Sequence, residues 1–196
     1  MDRELEKFLS RTGITPAHRE EIQNRLDPTR PISHEEQLAR FLNALDALYF
    51  QAEEARQLGQ SWRNFLVGSA VWAFREDAST YEDRWRWFYG MNRKVNETSR
   101  NICAEPVAIE AALARRSTEI IGMVVVGNSR QEDDGSTPLT LPPCPHCRFL
   151  MKHHPLMRPH TIIVTAHPPG PETESISDVV HEIRTFEELL RDHGEL

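Results

Sequence analysis

The sequence predicts an α/β layered domain built on a mixed sheet. Three observations predict it: the hydrophobic period changes after Gly59, two β-prone segments beyond it are joined by a turn, and helical and buried-strand patterns alternate from there onward. The 196 residues suit one domain with a real core and a short appendage. Apolar residues at 39% and charged residues at 27% exclude a disordered or low-complexity chain. No apolar run approaches the roughly 20 residues of a membrane helix.

Each element has its own signal. The first thirty or so residues read as two short helices, the second opened by Thr15-Pro16, which sets a capping oxygen before a proline at the first helical position. A proline-rich break at 27–31 follows. Ser33 and Glu36 are spaced as a capping box, and Leu38, Phe41, Leu42, Leu45, Leu48 and Tyr49 then recur at three- and four-residue steps. That stripe predicts one long helix ending near Gly59. Residues 65–74 and 81–91 read as a hairpin around a turn at 76–79, with Trp85, Trp87 and Tyr89 facing one way. A helix is expected over 103–116, where five alanines favour it and Pro106 falls in the tolerant first turn. Residues 120–126 and 161–165 read as buried strands. Between them lie a polar stretch, with an acidic loop at 132–135, and then Pro142-Pro143-Cys144. A last helix starts at Thr185, with Glu188 completing a capping box.

Charge and cysteine usage exclude whole classes of function. A formal charge of −7 argues against an unaided grip on nucleic acid, which depends on an excess of lysine and arginine. The N-terminus carries no basic-then-apolar signal pattern, and three cysteines cannot all pair, so reduced thiols in the cytoplasm are expected.

All three cysteines stand where a metal site would need them. Cys144-Pro145-His146-Cys147 is a C-x-x-C, a spacing that lets two thiolates grip one metal from the start of a helix. Cys103 stands at another predicted helix start, and Cys103-Ala104-Glu105 sets a carboxylate two residues after it. Three protein ligands leave the fourth position of zinc open to water, and a neighbouring carboxylate can move protons to and from that water. Two other readings stay open: a redox pair, or a structural zinc closed by His146, His153 or His154. Neither gives Glu105 a task.

These residues resemble the zinc signature of the cytidine deaminase superfamily, H-x-E…P-C-x-x-C with a three-cysteine version of the ligands. Cys103-Ala104-Glu105 and Pro143-Cys144-Pro145-His146-Cys147-Arg148 carry the likeness, and a cysteine in first place is similar to the small free-nucleoside and blasticidin S deaminases. Phe65-Leu66-Val67-Gly68-Ser69-Ala70 resembles the F-x-V-G-A strand of their pocket, Gly90-Met91-Asn92 their G-x-N, and 185–190 their closing helix. The likeness spans about 34–192.

The resemblance implies a three-layer α/β/α fold with a mixed sheet of about five strands, divided as an N-terminal helical extension (1–31) and a catalytic domain (32–196). It implies Zn²⁺ on Cys103, Cys144 and Cys147, Glu105 as the proton-moving group, and Phe65, Asn92, Lys94 and Ala104 against a nucleoside-like substrate. The implied activity is hydrolytic removal of an amine from a small heterocycle. The alternative is a noncatalytic protein of the same fold, with structural zinc and a protein-binding surface. A homo-oligomer, dimer or tetramer, is also implied, and the tryptophan-rich strand offers it an apolar face. Three departures stand out: Lys94 replaces the glutamate that accepts from ribose hydroxyls, Pro106 an arginine, and Phe149 a glutamine. Arg148 and the two helix N-termini are expected to offset the charge of three thiolates.

Overall fold

A computed structural model of the chain describes residues 3–12, 15, 17, 20, 32–80, 82–96, 101–130 and 137–196. Most of the expected second N-terminal helix lies outside these, as do the whole break at 27–31 and the acidic loop at 132–135.

Five strands form one mixed sheet. In chain order they are β2 (Val67–Phe74), β3 (Trp85–Met91), β5 (Glu119–Gly127), β6 (Ile162–Ala166) and β7 (His181–Thr185); in space the order is β3-β2-β5-β6-β7. Only β5 and β6 run parallel. A second, two-stranded sheet pairs β1 (Gln60–Ser61) with β4 (Arg93–Lys94) in parallel.

Helices cover both faces, giving the three layers. On one face lie α1 (Arg3–Thr12), α2 (His34–Asn43) and α3 (Leu45–Gln57), whose Phe8, Phe41, Leu48 and Tyr49 join Ala70, Val124 and Val164 in one apolar cluster. On the other lie α4 (Ala104–Ala114), α5 (Pro145–His153) and α6 (Phe186–Asp192). There Ala108, Met151 and Leu189 pack with Val71, Met123 and Ile163. Alternate residues of each strand serve the two clusters, as the pleat requires.

The long helix expected over 34–59 is two helices. The backbone turns at Ala44 (φ −91°, ψ 1°), whose N–H donates to the Arg40 and Phe41 carbonyls, and α3 begins at the next residue. All six residues of the predicted stripe are still buried, so both helices turn their apolar residues to the same core cluster. The Ser33 cap forms, its hydroxyl accepting from the Glu36 N–H, but the Glu36 carboxylate turns to Arg40 instead of closing the box. The box at Thr185 and Glu188 closes in both directions. Strand β7 was not anticipated, because His-Glu-Ile-Arg-Thr has one apolar side chain and no alternation to read. An edge strand half open to solvent tolerates that composition.

Two glycines set how close the helices come. A Cβ on Gly68 would lie 1.8 Å from the Ala52 carbonyl oxygen of α3. One on Gly90 would lie 2.3 Å from the Ala104 carbonyl oxygen and 2.7 Å from the Ala108 nitrogen of α4. With glycine there, α4 rests directly on β3, and its first turn is held against the sheet.

Candidate metal centre and its two chambers

Cys103 is the N-cap of α4 and Cys144 the N-cap of α5, both in extended conformation, and Cys147 lies in the first turn of α5. Neither cap sulfur makes a capping hydrogen bond, so both are free to face a common point. The three sulfurs lie within 4.8 Å of one another, with Cys144 and Cys147 3.4 Å apart. Tetrahedral zinc holding sulfurs at about 2.3 Å sets them about 3.8 Å apart, so this spacing and this donor set fit Zn²⁺. Among the described residues, no histidine or carboxylate joins the group. His146 and His153 are exposed, and the ring of His154 faces Glu110, so none of the three closes the site.

The thiols titrate together. Cys144 is lowered well below the ordinary thiol range, because Cys103 and then Cys147 donate to it. Cys103 is pushed up to about 12, chiefly by donating to Cys144. Cys147 is raised by donating to Cys103 and Cys144, with burial adding to it. The metal-free cluster thus concentrates its negative charge on one sulfur, and a dication displaces the remaining thiol protons.

Glu105 lies one residue inside α4 and is 4% exposed. Burial pushes its carboxyl up to about 7, against its own backbone N–H, the Cys147 thiol and the charge of Lys94, which all pull it down. Lys94 also lowers Cys144. Arg148 was expected to compensate the thiolates, and it faces elsewhere. Its buried guanidinium donates to the Pro143 carbonyl at 2.6 Å and to Glu195 at 2.6 and 2.8 Å. The C-terminal segment is thereby tied to the peptide just before Cys144. The nearby positive charge comes from Lys94 and the two helix N-termini.

A small chamber of about 30 Å³ is lined by Cys103, Ala104, Glu105, Cys144, Phe65, Val67, Asn92, Lys94, Arg130, Leu141 and Pro142. It brings together every residue expected to hold zinc, move protons or bind substrate except Cys147, which is buried. Asn92 is 1% exposed. Its Oδ1 accepts from the Val67 N–H at 3.0 Å and its Nδ2 donates to the Phe65 carbonyl at 2.7 Å. It therefore fixes the backbone that carries Phe65, leaving one N–H and one lone pair for other partners. Lys94 is brought in from two sides. β4 pairs with β1 on one flank, and Arg93 exchanges both backbone hydrogen bonds with Ile102, the residue before Cys103, on the other.

A wider outer cleft of about 550 Å³ shares Phe65, Lys94 and Arg130 with this chamber and adds Ser61, Trp62, Arg63 and Asn101. Arg63 enters through a turn in which Asn64 takes a left-handed conformation (φ 53°), which asparagine tolerates better than most residues. Sequence reasoning missed Arg63 and Arg130. Arg130 lies three residues past the end of β5, and the rule that ligands gather beyond the carboxyl ends of parallel strands could have found it.

A model of the family described as the cytidine and deoxycytidylate deaminase zinc-binding region matches residues 46–164. No curated protein matches the chain. Among solved structures, cytidine deaminase from Burkholderia pseudomallei is 23% identical, with 74% of this chain and 95% of that one covered and a TM-score of 0.55. Cytidine deaminase from Mycobacterium leprae is 25% identical over 74% of this chain and 94% of that one, with a TM-score of 0.47. The first of these likenesses carries the fold.

Proposed function

The chain belongs to the cytidine and deoxycytidylate deaminase zinc-binding family, and from that premise we propose that it is a hydrolytic deaminase of a small amino-substituted heterocycle, cytidine-like in its reacting ring. One observation carries the reading: a carboxylate that burial holds near neutrality lines the same chamber as Cys103 and Cys144, with Cys147 behind them. A zinc that served structure alone would need no such neighbour, which disfavours the noncatalytic alternative.

Cys103, Cys144 and Cys147 would hold the zinc. When bound, that zinc supplies a water made more acidic and more nucleophilic than bulk water. The remaining steps belong to Glu105. Its carboxylate accepts a proton from the water as the oxygen bonds to the amine-bearing ring carbon, and passes it to the adjacent ring nitrogen. The carboxylate then takes the hydroxyl proton as the oxygen becomes a carbonyl and delivers it to the departing amine. Ammonia leaves, and the ring nitrogen keeps its hydrogen. A group pushed up to about 7 exchanges protons in both directions near neutral pH. Phe65 offers its ring face to the heterocycle, Ala104 borders it, and Asn92 keeps Phe65 in place while presenting its remaining N–H.

We also assign to this reading an N-terminal helical extension (1–31) on a catalytic domain (32–196), the cytoplasmic location and self-association. The β3 edge, where Trp87 and Tyr89 are about half exposed, is the face offered to a second copy. Ammonia release by zinc-loaded protein from a panel of aminopyrimidine bases, nucleosides and nucleotides tests the function. Turnover of at least one member supports it. No ammonia from any member by a fully zinc-loaded chain overturns it.

A further inference from the structure

We propose that the outer cleft is an anion subsite, so that the ligand of this chain joins a pyrimidine-like ring to a phosphate or carboxylate group. This rests on the deaminase reading for the orientation of the ring but stands on its own observations.

The first is the charge of the lining. Seven described residues line the outer cleft; Arg63, Lys94 and Arg130 are cations, and none of the seven carries a carboxylate. The chain as a whole has 30 acidic side chains against 23 lysines and arginines, so this cleft runs against the balance of the molecule.

The second is the lack of internal neutralisation at Lys94 and Arg130. Several of the less exposed arginines elsewhere are paired: Arg40 with Glu36, Arg56 with Glu53, Arg148 with Glu195. Among the described residues, Lys94 and Arg130 make no ion pair or hydrogen bond, and each instead lies over the ring of Phe65, at 5.8 and 5.6 Å from its centroid. Arg63 lies over Trp62 at 4.4 Å.

The third is convergence. The cations come from three segments: Arg63 after β1, Lys94 on β4 and Arg130 beyond β5. Gathering like charges costs energy that a bound anion recovers. Guanidinium forks match the oxygens of phosphate or carboxylate in pairs, while the ammonium of Lys94 adds a point charge.

Phe65, Lys94 and Arg130 border both chambers, so the ligand lies across this shared wall. Its ring faces the thiols and Glu105, and its anion faces Arg63 and Arg130. Lys94 stands between them, reaching both the anion and the field of the metal centre.

Titration calorimetry on the zinc-loaded full chain tests this with uridine, uridine 5′-monophosphate and uridine 5′-carboxylate, which lack the ring amine and are not turned over. At least one anionic ligand is expected to bind about tenfold or more tighter than uridine, as charge-assisted hydrogen bonds imply. The tighter of the two identifies the group. Lys94→Ala combined with Arg130→Ala is expected to abolish the preference, with an unchanged far-ultraviolet circular dichroism spectrum showing that the variant is folded. Equal affinity for all three ligands, binding of none of them, or a preference that survives the double substitution overturns the subsite. Ammonia release from the full panel of aminopyrimidine bases, nucleosides and nucleotides is read separately. A chain that releases none but keeps the charge preference refutes the deaminase reading and leaves the anion subsite standing.

Discussion

The two chambers that meet at Phe65 are built on opposite principles. The inner one is small, at about 30 Å³. Its sulfurs and carboxylate hang from the first turns of two helices, one of which is pressed against the sheet at Gly90, and its pKa values are dominated by burial and by mutual contact. The outer one is wider, at about 550 Å³, with cations on a two-residue strand and on connecting segments. Chemistry that needs fixed distances belongs in the first environment, and recognition of a solvated charged group belongs in the second. The difference predicts that substitutions inside remove function outright, while changes outside only grade it.

Loss of a ligand is the severest break. Cys103→Ser or Cys144→Ser is expected to remove bound zinc and all measurable turnover, read by metal analysis alongside ammonia release; full activity without zinc would end the metal assignment. Next comes Glu105→Gln, which keeps the shape and the zinc but cannot take a proton. Turnover should drop roughly 10² to 10⁴-fold at unchanged metal content. A variant that stays fast would place the proton transfers elsewhere.

Asn92 sharpens the border between the chambers. Asn92→Ala leaves the Val67 N–H and the Phe65 carbonyl without their partner, at a cost of about 2–3 kcal/mol in a urea unfolding titration. An unchanged midpoint would show that the clamp contributes nothing to the fold. Glu195→Gln weakens the brace between Arg148 and the Pro143 carbonyl. Zinc affinity should fall roughly 10 to 100-fold in a chelator competition, with turnover per bound zinc retained. Wild-type affinity would mean that the C-terminal segment does not support the metal loop. The smallest effect is ionic. Raising salt from about 0.05 to 0.5 M should weaken an anionic ligand several-fold and leave kcat unchanged, because salt screens exposed charges far more than buried ones. A change in kcat of the same size would erase the distinction between the chambers.

Much of this was legible beforehand. The cysteine spacing and Cys103-Ala104-Glu105 pointed to zinc and to the family, because metal ligands and a helix-start carboxylate leave a local signature that needs no tertiary information. The hairpin, the buried strands and the cap at Thr185 were readable for the same reason. Strand β7 escaped because an edge strand can be polar, and the break at Ala44 because alanine is a strong helix former and carries no local stop signal. Arg148 was misread: its position beside Cys147 suggested a role toward the thiolates, and its partner, Glu195, lies 47 residues along the chain.

The sequence by itself determined the donor set, the helix starts that present it, and the family to which the chain belongs, since each depends on residues a few positions apart. Only the tertiary structure decided which cations reach the site. Arg63, Lys94 and Arg130 are scattered over 68 positions and carry no common motif. They meet because β1 pairs with β4, Arg93 pairs with Ile102, and β5 ends beside the same ring of Phe65. Long-range pairing is written in the pattern of the whole sheet, and no local stretch of sequence contains it.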